Sequence, residues 1–217
     1  QKLQAEGKIS NPREDVLIFD NMNDGVLHFN STRIVRRNPT DAFDVTQAEI
    51  DAREQVYELH RFLKENIEGF ENSRVLSTAI RIGARESRMV TGDYVLTAED
   101  LKAYARFDDA IAAGNYDIDI HNPEGTGTSH YFFENGKWYT IPYRCLVVKG
   151  MENLLVAGRC ISSTHEAQAS YRVMPIVCCI GEAAGTAAGI AGRDGTTLRG
   201  VNIAEVQRIL RAGGAPI

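Results

Sequence analysis

Residues 153–192 read NLLVAGRCISSTHEAQASYRVMPIVCCIGEAAGTAAGIAG, and this stretch decides how the rest of the chain is interpreted. An apolar run ends at Gly158, where a residue without a Cβ lets the backbone turn sharply. A polar loop with one histidine follows, and then a long segment of Ala, Gly and other small apolar residues. The pattern predicts a buried strand over NLLVAG, a tight turn, a loop and a helix.

The spacing of glycines predicts how the long helix packs. Pro175 suits the first helical turn, where its missing N–H is no loss. Gly181, Gly185 and Gly189 form one stripe, although each interior glycine destabilises a helix by roughly 0.5–1 kcal/mol relative to alanine. We therefore expect another backbone to pack closely on this stripe. The GxxxG spacing also suits a membrane helix, but Glu182 lies in mid-segment, so a buried helix of a water-soluble domain is favoured.

Two arginines flank the loop before this helix. Arg159 follows the predicted strand, and Arg172 stands just before the helix. The first amides of a helix lack internal acceptors and carry partial positive charge. The corner is therefore suited to a ligand with delocalised negative charge, and a reduced flavin and a phosphate both meet that description.

Two of the five histidines border loops that we expect to open on a pocket. His121 ends a predicted strand before a glycine-rich loop, and His165 lies between the predicted strand and the long helix. Both are acid/base candidates, although a single histidine is more often a surface residue or one with its hydrogen bonds satisfied. No two histidines have the spacing of metal ligands, so no metal site is predicted. Four arginines suit either a cationic pocket or a solvated surface: Arg81, Arg85, Arg88 and Arg144.

Bulk composition argues against several classes of function. The formal net charge is -5 and the pI is about 5.6, which excludes the basic footprint of a nucleic-acid-binding protein. No run of like charges indicates a membrane-surface helix, so neither nucleic acid nor a membrane is an expected partner. The four cysteines lack C-x-x-C spacing, which predicts free thiols instead of a zinc site or a disulfide framework. Free thiols favour a reducing compartment such as the cytoplasm.

Strand signals are spread over the first two thirds of the chain. Asn23-Asp24-Gly25 is a hairpin-turn sequence between short apolar runs. Residues 73–96 alternate well enough for two strands broken near Gly83. Residues 116–121 predict a strand, and Asn135-Gly136 predicts a hairpin whose two strands flank the turn directly.

Helix signals occur between these strands. Thr46 and Glu49 fit a capping box at the start of a helix that packs on a sheet and ends near Gly69. Thr97 and Asp100 predict a second, short helix, and a C-terminal helix is expected over residues 203–210. Strands and helices are therefore mixed, and the expected fold class is α/β, or α+β if the chain is a fragment.

Three segments together resemble the C-terminal part of the FAD-dependent oxidoreductase family found in many bacteria, which is related to glutathione-reductase-like and fumarate-reductase-like flavoproteins. They are residues 139–191, the segment IGARESRMVTGDYVLTAEDL at 82–101, and YDIDIH at 116–121. The resemblance covers roughly residues 42–192. It implies a C-terminal remnant of a Rossmann-like FAD/NAD(P)-binding domain together with a β-rich substrate region. The implied division is 1–74 partly FAD domain, 75–150 substrate or cap region, and 151–217 the last strand and helices of the FAD domain.

The resemblance also implies roles for individual residues. Gly158 and Arg159 would contact the ribityl-pyrophosphate part of FAD. The backbone at Arg172, Val173 and Met174 would face the pyrimidine edge of the flavin. His121 or His165 would act as acid or base during hydride transfer between flavin and a small organic substrate, and Arg88 would anchor that substrate or hold the structure.

One departure from the family limits what this chain is expected to do. Family members begin with G-x-G-x-x-G, which cradles the pyrophosphate, and no such motif occurs in these 217 residues. We therefore expect a C-terminal fragment that does not hold FAD alone and whose partner is an N-terminal half with the fingerprint. The alternative is a non-catalytic ligand-binding or interaction module derived from the flavoprotein fold.

Overall fold

The computed structural model describes residues 5–7, 9–13, 15–121 and 127–217. The chain divides into two compact units. Unit 1 comprises Gln1–Ala84 with His121–Thr128, and unit 2 comprises Arg85–Ile120 with Ser129–Ile217. The three-part division at residues 74 and 150 stays a prediction.

Unit 1 contains a small hairpin, as its turn sequence predicted. Strands β1 (Ile18–Asp20) and β2 (Leu27–Phe29) pair antiparallel, with Phe19 opposite His28. Gly25 has a φ of 73°, which a residue without a Cβ adopts readily. The amide of Val26 closes the turn by donating to the carbonyl of Asn23 at 3.1 Å.

The main helix of unit 1 is α1 (Ala42–Asn66), and its N-cap, Asp41, lies five residues before Thr46, the N-cap of the predicted capping box. Asp41 is the N-cap, because its carboxylate accepts from the amides of Phe43 and Asp44, each at 2.9 Å. Thr46 instead donates to the carbonyl of Ala42 at 2.8 Å inside the helix. The capping-box prediction was wrong because an aspartate upstream satisfies the first amides equally well.

Two predicted strands are absent from the segment after α1. Residues 73–91 form neither helix nor strand. The segment is fixed by individual hydrogen bonds instead: the amide of Ile82 donates to Glu49 Oε1 at 2.8 Å, and Arg53 forms an ion pair with the same carboxylate. The alternation of the sequence was misleading because residues 73–91 pair with no neighbouring strand. They make isolated contacts instead, such as that of Ile82 with α1.

Unit 2 is built on the antiparallel pair β3 (Ala110–Gly114) and β6 (Tyr139–Pro142). The helix α2 (Ala98–Lys102) begins with the predicted capping box of Thr97 and Asp100. The core around the pair contains fully buried side chains such as Leu96, Tyr139 and Ile141.

A second strand pair consists of β4 (Ile118–His121) and β5 (Thr128–Tyr131). The turn at Asn135-Gly136 exists, with Gly136 at a φ of 78°. However, β5 pairs with β4 and β6 pairs with β3, so the strands flanking this turn do not pair with each other. The hairpin prediction was therefore wrong in its partners, since local turn chemistry does not choose between competing neighbours.

The last third of the chain is helical. A 3₁₀ turn at Tyr143–Cys145 precedes the helices α3 (His165–Tyr171), α4 (Met174–Asp194) and α5 (Ile203–Ala212). The NLLVAG segment contributes one isolated bridge, between Val147 and Leu155, and is not the predicted strand. The region predicted as a polar loop contains α3, which begins at an N-cap, Thr164.

The helix α4 has one buried face and one exposed face. Pro175 lies in its first turn as predicted, and Gly195 ends it at a φ of 63°. The buried face is aliphatic and packs on β3 and α5: Ile176, Ile180, Ala183, Ala187, Ile190 and Ala191. The predicted close packing on the glycine stripe is wrong for this chain, because an added Cβ at Gly181, Gly185 or Gly189 meets no atom within 4 Å.

By length and composition, α4 is also the one described helix that could cross a membrane, with 33% of its apolar window buried. The core helix of a soluble protein, which is mostly buried, meets the same criteria of length and composition.

The fold class is mixed helix and small antiparallel sheets, which is compatible with the expected α/β class. All four cysteines are free thiols, as predicted, but only Cys145 is buried. Burial raises the pKa of the Cys145 thiol to about 12, so this cysteine behaves as a small apolar side chain.

Candidate functional site

In unit 2, the segment that opens with Arg85 lies along the stretch that carries α3. Four contacts join the two stretches. They are Arg85 O with Gln168 Nε2 at 2.7 Å, Glu86 with His165, Met89 Sδ with Ser163 Oγ at 3.4 Å, and the amide of Val90 with Cys160 O at 3.0 Å. The order of these contacts sets which side chains of the two segments face each other.

His165 is the first residue of α3, and its Nδ1 contacts Glu86 Oε2. The imidazole is 46% exposed and the carboxylate is 27% exposed, so the ring keeps one nitrogen engaged while much of it faces solvent. A carboxylate can only accept, which makes Nδ1 the donor and leaves Nε2 as the second nitrogen of the ring. Sequence reasoning selected His165 but did not identify Glu86.

Next to His165, Glu166 supplies negative charge to the first turn of α3. Hydrogen bonds from its own backbone amide and from Thr164 lower the pKa of Glu166. The Glu166 carboxylate therefore accepts hydrogen bonds at the start of α3, whereas the Glu86 carboxylate accepts from the imidazole of His165.

At the other end of α3, Arg172 is paired with the buried Asp119 of β4. Arg172 Nη2 lies 3.1 Å from Asp119 Oδ2 and 3.3 Å from the Asp119 carbonyl oxygen. The side chains are only 13% and 9% exposed. The same carboxylate lies 3.5 Å from Arg85 Nη1 and 3.7 Å from His130 Nε2. Arg172 is thus committed to an internal ion pair, whereas the sequence suggested that it would face a ligand.

The start of α4 follows Arg172 directly and has no side-chain cap. Val173 is the N-cap and offers no side-chain acceptor, and Pro175 has no N–H. The amides of Met174 and Ile176 belong to the first turn, where no carbonyl of the same helix can accept from them. A cleft of about 350 Å³ lies against this end, lined by Asn115, Tyr116, Asp117, Val173, Pro175 and Ile176.

The turn at Gly158 is a second place where the space next to the backbone is open. Gly158 has a φ of 99°, and a Cβ built on it would meet nothing within 4 Å. The following Arg159 is exposed. Its carbonyl accepts from the Tyr171 hydroxyl at 3.4 Å, which ties the turn to the end of α3.

Two buried tyrosines hold α3 in place. Tyr171 Oη pairs with Ser163 Oγ at 2.8 Å, and Tyr139 Oη pairs with Ser170 Oγ at 2.7 Å. Burial raises the pKa of both phenols, so each stays protonated and can donate a hydrogen bond. These contacts fix the helix that carries His165 at its start.

The remaining predicted site residues are less informative. Arg88 and Met174 are exposed, and Met174 is 80% exposed. His121 is the last residue of β4, and its side chain lies outside the described part of the structure. Within the described ranges, no group of three or more His, Cys, Asp or Glu side chains could hold a metal ion.

A second cleft of unit 2, of about 440 Å³, contains charges that are mostly paired with one another. Arg144 forms two hydrogen bonds to Asp109 at 3.0 and 3.2 Å, and Arg199 pairs with Asp93. Because these charges pair with one another within unit 2, we assign them a structural role and not a role in ligand binding.

Comparison with known families decides what these features belong to. The sequence model described as "FAD dependent oxidoreductase" matches residues 2–210, which is nearly the whole chain. The chain belongs to the FAD-dependent oxidoreductase family. No curated protein and no solved structure matched it in the corresponding comparisons. The match confirms the resemblance, and it implies FAD as the cofactor of the intact protein.

The described residues of this flavoprotein family member fit part of FAD. The uncapped amides at the start of α4 suit an electron-rich edge. The open space at Gly158 allows a ligand to approach the backbone closely. Asp117 and the internal pairing of Arg172 leave this corner without the cation that the sequence suggested. The 217 residues lack the glycine fingerprint, which is the motif that cradles the pyrophosphate.

The residues that sequence reasoning missed have weak local signals. Asp119 interrupts an apolar strand between Ile118 and Ile120, and a charge at such a position suggests a buried partner. Glu86 lies in a segment without helix or strand periodicity, so only its tertiary contact with His165 identifies it.

Proposed function

We propose that this chain contributes one wall of the flavin site and the proton-transfer group of an oxidoreductase that moves a hydride between FAD and a small organic substrate. The observation that carries this proposal is the arrangement of α3. His165 stands at its start against a carboxylate, and the uncapped start of α4 follows its end. With seven residues at 1.5 Å each, the helix is about 10 Å long.

In this proposal, the turn at Gly158 and Arg159 receives the ribityl-pyrophosphate part of FAD. The backbone at Arg172, Val173 and Met174 faces the pyrimidine edge. Arg172 contributes through its backbone, because its side chain pairs with Asp119. FAD, when bound, supplies the two-electron redox chemistry.

The chain's own residues manage the proton. Oxidation of a C–H bond next to a hydroxyl or amino group removes a hydride from carbon and a proton from oxygen or nitrogen. We propose that His165 Nε2 takes this proton and returns it to solvent, which its 46% exposed side chain permits. His121 stays an alternative proton acceptor, and Arg88, which is exposed, stays a candidate substrate anchor.

The proposed role of His165 is tested in FAD-loaded protein that includes the G-x-G-x-x-G segment proposed below. Anaerobic bleaching of the flavin absorbance would be followed with a panel of alcohols, hydroxy acids and amines. His165→Ala should slow bleaching by the active donor about 10²-fold or more, since general acid–base catalysis contributes 10²–10⁴-fold. FAD content should change little, and the exposed His28→Ala in unit 1 is the matched control. Unchanged bleaching in His165→Ala would remove it as the proton acceptor.

Retention of FAD is a separate proposal. We propose that a further polypeptide segment with G-x-G-x-x-G completes the cofactor site, and that residues 151–217 are the end of a Rossmann-like domain. The 217-residue chain alone should then show no saturable quenching of FAD fluorescence in titration. Adding a polypeptide with the fingerprint should restore binding. A yellow preparation of the chain alone would contradict this proposal, and absence of FAD binding in every combination would favour the non-catalytic module.

A further inference from the structure

We propose that Glu86 is a positioning residue that fixes the imidazole of His165 with Nδ1 as the donor and Nε2 as the outward proton acceptor. The proposal rests on the proposed function for its catalytic meaning, but its structural part can be tested without any substrate.

The first support is that the position of Glu86 is set by its neighbours on both sides. Just before it, Arg85 O accepts from Gln168, whose side chain is 2% exposed. Four residues after it, the amide of Val90 donates to Cys160 O at 3.0 Å. The backbone on both sides of Glu86 is therefore tied to the stretch that carries His165, which brings the carboxylate within reach of the imidazole.

The second support is the position of His165. It is the first residue of α3, whose N-cap Thr164 accepts from the amide of Ala167 at 3.3 Å. Tyr171 and Ser170 anchor the far end of the same helix through buried hydrogen bonds. Both partners of the Glu86–His165 contact therefore stand on fixed elements, which is what a positioning contact requires.

Chemistry then assigns the tautomer. A carboxylate has no proton to give, so it accepts from Nδ1–H in both the neutral and the protonated imidazole. In the neutral ring the lone pair is consequently on Nε2. Carboxylate–histidine pairs of this kind orient the ring and fix its tautomer at catalytic and metal sites in general.

A purely structural ion pair predicts a different outcome. Pairs as exposed as this one contribute little to folding stability, because solvent screens them and two side chains lose freedom. Removal of Glu86 should therefore leave the thermal midpoint of the chain almost unchanged while it changes the tautomer. If Glu86 had only a structural role, its removal would change the tautomer of His165 only together with the stability of the chain.

The test is long-range ¹H–¹⁵N NMR of the full 217-residue chain labelled with [¹⁵N]histidine, in alkaline buffer where histidine side chains are neutral. The signals of His165 among the five histidines are assigned by their loss in His165→Phe. We expect the Nδ1–H tautomer in the wild type and a shift towards Nε2–H in Glu86→Ala. Glu166→Gln is the matched control, since Glu166 adjoins His165 in the first turn of α3 but its carboxylate is hydrogen-bonded by its own amide and by Thr164.

The proposal is overturned if the wild-type imidazole is the Nε2–H tautomer, or if Glu86→Ala keeps Nδ1–H. It is also overturned if Glu86→Ala lowers the thermal midpoint together with the tautomer change, because a structural role would then explain both. In the FAD-loaded protein, Glu86→Ala should slow flavin bleaching about 10-fold or more. If His165→Ala leaves bleaching unchanged while the tautomer results stand, the proposed function fails and the positioning contact does not.

Discussion

At the scale of single residues, the burial of Arg172 decides whether its charge faces a ligand or an internal partner. Its guanidinium lies 3.1 Å from Asp119, and both side chains are almost enclosed. Removing two charges from water is costly. Loss of one partner of a buried pair therefore strongly destabilises the folded protein, because the other charge stays buried without compensation. The pair therefore holds β4 against the junction of α3 and α4.

We expect Arg172→Met to lower the free energy of unfolding by about 2–4 kcal/mol, because it leaves a buried carboxylate with weaker compensation. Urea unfolding followed by circular dichroism measures the change. Arg208→Met is the control: its ion pair with Glu205 is 3.8 Å long and 70% exposed on the arginine side. Equal midpoints for both variants would show that the Arg172 pair is not structural. A double variant with Asp119→Asn should lose less than the sum of the single changes.

At the scale of elements, α4 combines an apolar buried face with an exposed face of glycines. Its inner residues pack on β3 and α5, and Gly114 of β3 allows the closest approach. A Cβ on Gly114 would lie 2.7 Å from Ile176 Cδ1 and 2.7 Å from Tyr139 Oη. The glycine that is sterically required at this contact is thus in the strand, and not in the helix stripe that the sequence emphasised.

We expect Gly185→Ala to raise the free energy of unfolding of this chain by about 0.5–1 kcal/mol. Its added methyl meets no atom within 4 Å, and alanine is the better helix former. Gly114→Ala should destabilise the chain, since its methyl meets a buried side chain at 2.7 Å. Denaturant unfolding of the two variants gives the signs. A loss of stability in Gly185→Ala would mean that the exposed face of α4 is closely covered in solution.

At the scale of the whole molecule, unit 2 depends on buried groups that must keep their protons. Burial raises the pKa of Tyr143 to about 12, and its hydroxyl donates to Leu198 O at 2.8 Å. Burial likewise raises the pKa of Cys145 to about 12. In the unfolded chain these groups ionise at about 10 and about 8.5. The folded state therefore binds more protons between these values and about pH 12.

Stability should consequently be constant near pH 7 and fall as the pH rises from about 9 towards 12. A group that is protonated when folded and ionised when unfolded contributes a slope of about 1.4 kcal/mol per pH unit. Tyr143→Phe should reduce this slope above about pH 10, although it loses about 1 kcal/mol at pH 7 with its hydrogen bond. The measurement is the free energy of unfolding as a function of pH. An unchanged slope in Tyr143→Phe would contradict the assignment.

The same scale shows where sequence reasoning was sound. Capping chemistry placed α2, the apolar period placed α1, and proline with small residues placed α4, because these signals act within a few residues of the chain. The family was recognisable from the sequence of residues 139–191 and two shorter segments, and the family model matches residues 2–210.

Strand partners and the contact between Glu86 and His165 required the tertiary structure. The turn at Asn135-Gly136 was predictable, but nothing local states that β6 pairs with β3 and β5 with β4. Glu86 and His165 are 79 residues apart in the chain, and Glu86 lies in a segment without helix or strand. Short-range chemistry determines helices and turns, whereas pairing across the chain depends on which surfaces bury each other, and that competition is settled only in the folded molecule.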